Sequence, residues 1–212
     1  YYPDGGIYKV IEALENIAKK HGAKIYTNSP VSEILVEDKK VAGVQFSSGE
    51  KVLADFVVSN ADMNFTEMNL IKEDSLRTYK KKYWDKAVMG PSAFILFLGL
   101  SRKVDSLTHH NLRFSQDWKK NFEQVFDNPK FPDDPSYYVS CPSKSDASVA
   151  PDGKETLFVL VPVASHLSFT DSQKKEYRDK IIAMMKTDLD IPDLEDIIEY
   201  ESMYTHEEFK AD

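Results

Sequence analysis

Apolar residues recur at helical spacing in two stretches of the chain. Near the start, the apolar positions fall on one helix face and the charged positions largely on the other, and Gly22 follows where helices commonly end. The apolar positions are Ile7, Val10, Ile11, Leu14 and Ile17. The pattern predicts a helix from Ile7 to about Gly22 and a second amphipathic helix over residues 171–186.

Short apolar runs bounded by turn residues predict strands between these helices. A strand over 23–28 is followed by extended runs over 31–36, 41–46 and 51–58, with turn residues between them, which indicates an antiparallel meander. The last run ends in Phe56-Val57-Val58, a pattern typical of a strand buried on both faces. Asn60 and Asp62 then end that strand.

The second half of the chain alternates between helices and strands. Residues 63–85 have a helical pattern with a break near Glu73-Asp74, and 93–100 is the most apolar run, which predicts a central strand. A loop and a helix are expected over 108–126 and irregular structure over 128–135, where Pro and Asp are frequent. Further strands are expected over 137–142, 156–163 and 197–204. The fold class is therefore α/β to α+β mixed, with a domain boundary near residue 62.

Composition excludes several classes of function. The net charge of −8 over 212 residues leaves no dense basic surface for nucleic acid. The single cysteine, Cys141, excludes an internal disulfide and a cysteine-based zinc site and is interpreted as a small buried hydrophobe. No apolar run reaches the length of a spanning helix. Lys80-Lys81-Lys82 is interpreted as a solvated helix face, with an anionic-lipid contact as the alternative.

Three motifs together carry a resemblance. They are Tyr-Pro-Asp-Gly-Gly at residues 2–6 before a helix, Val-Val-Ser-Asn-Ala-Asp at 57–62, and Pro-Ser-Lys-Ser-Asp-Ala-Ser-Val-Ala-Pro-Asp-Gly at 142–153. In this order and spacing they resemble the phytoene desaturase (carotenoid desaturase and isomerase) family of FAD-dependent flavoproteins. The family's two glycine-rich segments are missing, and one of these is the G-x-G-x-x-G turn that receives the FAD pyrophosphate. We therefore expect the central fragment of a longer enzyme.

The resemblance implies that two parts of the chain belong to domains with different roles. Residues 1–62 would form part of a glutathione-reductase-like FAD-binding domain, and residues 63–212 a substrate-binding domain with helices on a mostly antiparallel sheet. FAD would be the cofactor of the full-length parent but would not bind this fragment tightly. The parent would remove hydrogens from adjacent carbons of a carotenoid or related isoprenoid polyene, in the cytoplasm and in peripheral contact with the membrane.

Cofactor contacts follow from the same resemblance. Val31 would lie against the adenine of FAD, with the alternative that it merely begins a strand. Ala61 and Asp62 would lie where the chain passes close to the cofactor. For Asp62 we favour a helix-capping role, which is compatible with cofactor contact.

Substrate contacts are also expected. Tyr2, Gly5 and Gly6 would lie near the flavin ring or the mouth of the substrate channel. Candidate channel walls stand at alternate positions of the expected strands, a pattern that core packing produces equally well. They are Phe94, Leu96, Leu98, Tyr138, Phe158 and Leu160.

The histidines suggest little chemistry. His109-His110 has no further ligand at a recognisable spacing, so a solvated loop is favoured over a metal site. His166 is the histidine to test first for an acid-base role in substrate binding, although a surface position explains it as well. No other metal site is expected.

Two alternative functions are retained. One is a non-catalytic module that binds a lipid or a partner protein, and the other is a family member that acts on a retinoid or an amine. The expected strands at Ile25 and Phe56 would lack neighbours in this chain, and unpaired strand edges recruit other chains. We therefore expect self-association of the isolated chain or a disordered first third.

Overall fold

A computed structural model describes residues 2–165 and 167–211 of the chain. It has a mixed α+β fold with two compact units, one within Tyr1–Glu15 and Met89–Asp212 and the other Asn16–Val88. The strands are β1 (Val31–Glu37), β2 (Lys40–Phe46), β3 (Lys51–Leu53), β4 (Ser92–Leu100), β5 (His110–Arg113), β6 (Tyr137–Ser140), β7 (Glu155–Val163) and β8 (Ile198–Tyr204). The helices are α1 (Tyr8–Lys20), α2 (Met63–Phe65), α3 (Lys81–Trp84), α4 (Trp118–Phe122), α5 (Asp171–Asp188), α6 (Leu194–Ile197) and α7 (His206–Ala211).

The expected first helix is confirmed as α1. Gly22 adopts a left-handed φ of 88°, and its N–H donates to the Lys19 carbonyl at 3.0 Å, which ends the helix as the sequence predicts. The apolar stripe of α1 is exposed, and Leu14 in its middle is open to solvent.

The meander is also confirmed. β1, β2 and β3 form a three-stranded antiparallel sheet in sequence order. Gly43 allows close contact of β2 with β3, because a Cβ at this position would lie 2.1 Å from the Val52 carbonyl oxygen.

One expected strand of this region is wrong, and another is shorter than expected. Residues 23–28 form no strand, and the run Phe56-Val57-Val58 lies outside β3, with Phe56 87% and Val58 93% exposed. An apolar, β-branched run indicates that a segment suits a buried strand, but a strand also needs a hydrogen-bonding partner. Among the described residues, neither segment pairs with a strand.

The helix expected over 63–85 is interrupted, and the interruption includes Glu73-Asp74, where the sequence predicts a break. α2 continues into a π-helical turn, Thr66–Leu70, the chain is then extended, and a 3₁₀ turn over Asp74–Leu76 precedes α3. Lys81 in α3 pairs with Asp85 at 2.7 Å on an exposed helix face.

The larger sheet has five strands in the order β5-β6-β7-β4-β8, with antiparallel pairing throughout. β4 is central, as predicted, and pairs with β7 along its whole length, from Ser92↔Val163 to Leu100↔Glu155. One face of the sheet and the buried side of α5 form the hydrophobic core. Helix α5 begins at a capping box in which Thr170 and Gln173 exchange side-chain to backbone hydrogen bonds.

The short strand β5 replaces part of the loop expected over 108–126. It pairs with β6 from His110↔Ser140 to Arg113↔Tyr137. A strand of four residues with three polar side chains is too short for periodicity to reveal.

Candidate functional site

Strand alternation gives the five-stranded sheet two different faces. The face opposite the core, here called the open face, carries a row of partly exposed aromatic side chains. The Phe97 ring lies 5.5 Å from Phe158 and 5.8 Å from Tyr204, and Tyr138 lies 6.4 Å from Phe158. A contiguous aromatic surface of this kind contacts a flat apolar ligand more favourably than it contacts water.

The strand register divides the six expected channel walls between these faces. Paired residues of adjacent strands share a face, so Tyr138, Phe158 and Leu160 lie on the open face. Phe94, Leu96 and Leu98 lie on the core face.

Phe94 is corrected from a substrate wall to a core residue. Its side chain is 0% exposed, and its ring packs against Phe169 at 5.7 Å and Tyr177 at 5.2 Å. The alternation rule shows which residues share a face but not which face meets the core.

The glycine turn at the start of the chain contacts the loop of residues 142–153. The Gly6 N–H donates to the Pro3 carbonyl at 3.0 Å, which closes a turn in which Gly5 has a φ of 83°. The Gly5 N–H donates to the Asp146 carboxylate at 2.9 Å. Two motifs that are far apart in sequence are therefore joined by a hydrogen bond.

Asp146 organises its own loop as well. Its Oδ1 accepts from the Ser148 hydroxyl at 2.6 Å and from the Ser148 N–H at 2.8 Å. These hydrogen bonds, with that from Gly5, hold the pKa of the Asp146 carboxyl below its usual range, so it is an anion at neutral pH.

A histidine pair lies beside this turn. His109 is half-buried and its Nδ1 lies 2.7 Å from the Ser145 hydroxyl, while the edge of its ring meets Tyr2 at 5.0 Å. Burial and the neighbouring His110 lower the pKa of His109, which favours the neutral imidazole. Burial, followed by the charge of Asp146, raises the pKa of Tyr2.

His110 connects the pair to the open face. Its Nδ1 lies 2.6 Å from the Tyr138 hydroxyl, and the two rings stack at 5.9 Å. His110 begins β5 rather than lying in a loop, which corrects the expectation for this residue. No group of three metal-ligating side chains occurs in residues 2–165 and 167–211. His166 falls outside the described residues.

A buried ion pair anchors the loop that carries Ser145 and Asp146. Glu155 is 1% exposed, and its Oε1 lies 2.7 Å from Lys144 Nζ, which also donates to the Val104 carbonyl at 2.6 Å. The Cys141 thiol donates to the other carboxylate oxygen at 2.6 Å. Burial, and then this hydrogen bond, raise the pKa of Cys141 to about 12, so the thiol is neutral and not a nucleophile. The sequence predicted burial of Cys141 but not the ion pair.

Val31 begins β1, where it pairs with Phe46 beside a cleft of about 520 Å³. The cleft is lined by Tyr26, Asn28, Ser29, Pro30, Phe46, Ser47, Ser48, Glu50 and Val52. This set combines two aromatic rings with neutral hydroxyl and amide groups and one acid. None of these described lining side chains is basic, so the cleft supplies no cation for a pyrophosphate.

Asp62 caps a helix, as favoured from the sequence. Its Oδ1 accepts the Phe65 N–H at 2.8 Å at the start of α2. Ala61 beside it is exposed. Neither residue lines the cleft near Val31, so the structure does not bring the three expected cofactor contacts into one cavity.

No helix in the described part of the chain is long and apolar enough to cross a membrane.

Comparison with solved structures supports the fold. An oxidoreductase from Methanosarcina mazei aligns with a TM-score of 0.59 at 20% identity, over 96% of this chain and 43% of that protein. A reduced UDP-galactopyranose mutase aligns with a TM-score of 0.62 at 17% identity, over 96% of this chain and 40% of that protein.

Sequence comparison is more specific. A carotenoid 3,4-desaturase of Haloarcula japonica is 40% identical over 99% of this chain, and a zeta-carotene-forming phytoene desaturase of Myxococcus xanthus is 37% identical over 95%. A 4,4'-diapophytoene desaturase of a Methylomonas species is 31% identical over 100%. The chain spans 38% to 42% of the length of these relatives. Residues 1–212 match the family of flavin containing amine oxidoreductases. The chain therefore belongs to that family and is homologous to carotenoid and phytoene desaturases.

Proposed function

We propose that this chain is the central part of an FAD-dependent oxidoreductase that dehydrogenates a carotenoid or a related isoprenoid polyene. The observation that carries the proposal is the open face, an aromatic surface on a sheet whose opposite face is already buried in the core. Two of its members are the half-exposed Phe97 and its partner across the strands, Phe158. A conjugated or partly conjugated hydrocarbon is the class of ligand that such a surface holds without polar contacts.

The chain's residues have distinct roles in this proposal. Aromatic side chains of the open face hold the polyene flat and exclude water from it. The Tyr138 hydroxyl, held by His110 at 2.6 Å, is a polar group at this surface that can accept or pass on a proton. FAD, when bound, supplies the acceptor for the hydride that leaves the substrate.

The proposed cofactor contacts divide along the chain. Val31 and the cleft beside it would hold the adenosine end of FAD, and the segment at Ala61 and Asp62 would pass near the cofactor. The turn at Tyr2, Gly5 and Gly6, fixed by Asp146, would lie near the flavin ring or the channel mouth. Residues 1–62 would then act as the nucleotide part and 63–212 as the substrate part.

The isolated chain should be inactive in this proposal. Without a pyrophosphate cradle it should bind FAD weakly and turn over no substrate. The exposed side chains of Phe56 and Val58 also support the expectation of self-association, which sedimentation can check.

The test uses the full-length protein that contains this chain, loaded with FAD and given phytoene-type polyenes in liposomes. Without oxygen, we expect bleaching of the flavin absorbance and a shift of the polyene absorbance to longer wavelength. Phe158→Ser should slow both changes about ten-fold, because an aromatic wall of the open face is lost. Phe122→Ser is the matched control, since Phe122 is exposed and lies in helix α4, outside the sheet that carries the open face. Equal effects of the two substitutions, or oxidation of amines but not polyenes, would contradict the proposal.

A further inference from the structure

One end of the open face contains a hollow of about 360 Å³, here called the Gly99 hollow. Side chains of the open face that surround it are Phe97, Thr156 and Tyr200, with Pro151 alongside. The volume lies in the range typical of ligand pockets, which are lined mainly by apolar and aromatic groups.

The hollow exists because position 99 has no side chain. Gly99 pairs with Thr156 on one side and Tyr200 on the other, in the middle of three adjacent strands. The two flanking strands are therefore about 10 Å apart across Gly99. A Cβ placed on Gly99 would lie 3.1 Å from the Tyr200 Cβ, and apart from the two chain neighbours no other described side chain lies within 4 Å of it.

An ion pair marks the boundary of the hollow. Lys154 Nζ and the Glu199 carboxylate are paired, and both residues line it. Because the two opposite charges lie side by side, neither sign of charge dominates the rim of the hollow. The remaining chemistry favours a hydrocarbon.

We propose that the Gly99 hollow binds the hydrocarbon end of the polyene, an inference that rests on the proposed function. The end seated in the hollow fixes how far the rest of the ligand extends across the open face. Gly99 is then a specificity-determining residue, because a side chain at this position would shift the ligand along the sheet. The depth of the hollow would select the length and end-group size of the substrate.

The test measures binding of a long-chain conjugated tetraenoic acid, whose fluorescence rises when it leaves water, to the full-length protein that contains this chain. Gly99→Leu fills the hollow and should weaken binding about ten-fold. Tyr200→Ala removes an exposed wall and should weaken binding about five-fold. The second variant guards against misfolding of the first, since Tyr200 is exposed on the edge strand β8 and its removal leaves the core intact.

Ala183→Leu is the matched control. Ala183 is exposed on α5, whose buried side packs on the core face of the sheet and not on the open face. Its substitution should change the dissociation constant less than about two-fold.

Each outcome decides between the two proposals. If the unaltered chain binds the fatty acid but Gly99→Leu and Tyr200→Ala do so equally well, the hollow is not the end site and the open face stands. Equal weakening by Ala183→Leu and Gly99→Leu also overturns the end site, since the loss of binding would then not depend on the hollow. If the unaltered chain shows no binding, the open face itself fails as a polyene surface and the inference fails with it.

Discussion

Replacement of Lys144 by Met removes the cation that neutralises the buried Glu155. The Glu155 carboxylate is 1% exposed, and the Lys144 side chain is 21% exposed. Loss of one partner from a fully buried pair costs roughly 3–5 kcal/mol, because the remaining charge is left without compensation. Water can reach the partly exposed Lys144 position, so we expect a loss of about 2–3 kcal/mol in the free energy of unfolding. For a chain of this size that corresponds to a fall of about 5–10 °C in Tm.

The experiment is a double-mutant cycle followed by urea unfolding with circular dichroism. Lys144→Met with Glu155→Leu should cost less than the sum of the single substitutions by about 2 kcal/mol, because no buried charge remains. Lys154→Met is the control, since its ion pair with Glu199 is exposed at both ends, and it should cost less than about 0.5 kcal/mol. Additive single effects, or a Lys144→Met variant as stable as the unaltered chain, would refute the argument that the pair is buried and coupled.

Three further outcomes test other contacts. Asp62→Ala should destabilise the start of α2 by about 1 kcal/mol, which would be seen as faster hydrogen exchange at the Phe65 amide. Asp62→Asn should retain the cap, and equal exchange rates in the two variants would disprove the capping role. The pKa of Cys141 is raised from 9.0 to about 12, so a thiol reagent at pH 8 should react only as the protein unfolds. The contribution of this thiol to stability should be lost between pH 9 and 12. Rapid labelling of the native chain would contradict the burial of Cys141. Although burial acts in the opposite direction, hydrogen bonds from Lys174 and Thr205 lower the pKa of Glu208 from 4.5 to about 2. The stabilisation by Glu208 is therefore present above pH 4.5 and is lost as the pH falls to 2. Lys174→Met should shift the acid-unfolding midpoint upward by about half a pH unit, and an unchanged midpoint would count against this ion pair.

Patterns that depend on local spacing predicted the structure well. The structure confirms helix α1 with its end near Gly22, the meander of β1 to β3 and the central strand β4. Side-chain periodicity predicts such elements because it directly reflects helix and strand geometry. The cap at Asp62 was predictable for the same reason, since it involves residues only three positions apart.

Features that depend on distant partners were less predictable. The run at Phe56 looked like a buried strand, but it has no partner strand within the described chain. Strand β5 is the opposite case. Its short polar sequence does not predict a strand, but pairing with β6 makes it one. Neither the burial of Phe94 nor the hydrogen bond from Gly5 to Asp146 could be found by periodicity, because both are set by which segments meet across the fold.

The central position of β4 has a consequence for synthesis on the ribosome. Its neighbours are β7 and β8, which begin at Glu155 and Ile198, well after β4 ends at Leu100. At roughly 5–20 residues per second, the most apolar strand of the chain emerges several seconds before either partner exists. During that interval it can only be shielded by a chaperone or by non-native contacts. Expression of this chain should therefore depend more on translation rate and chaperone supply than the stability of the finished sheet would suggest.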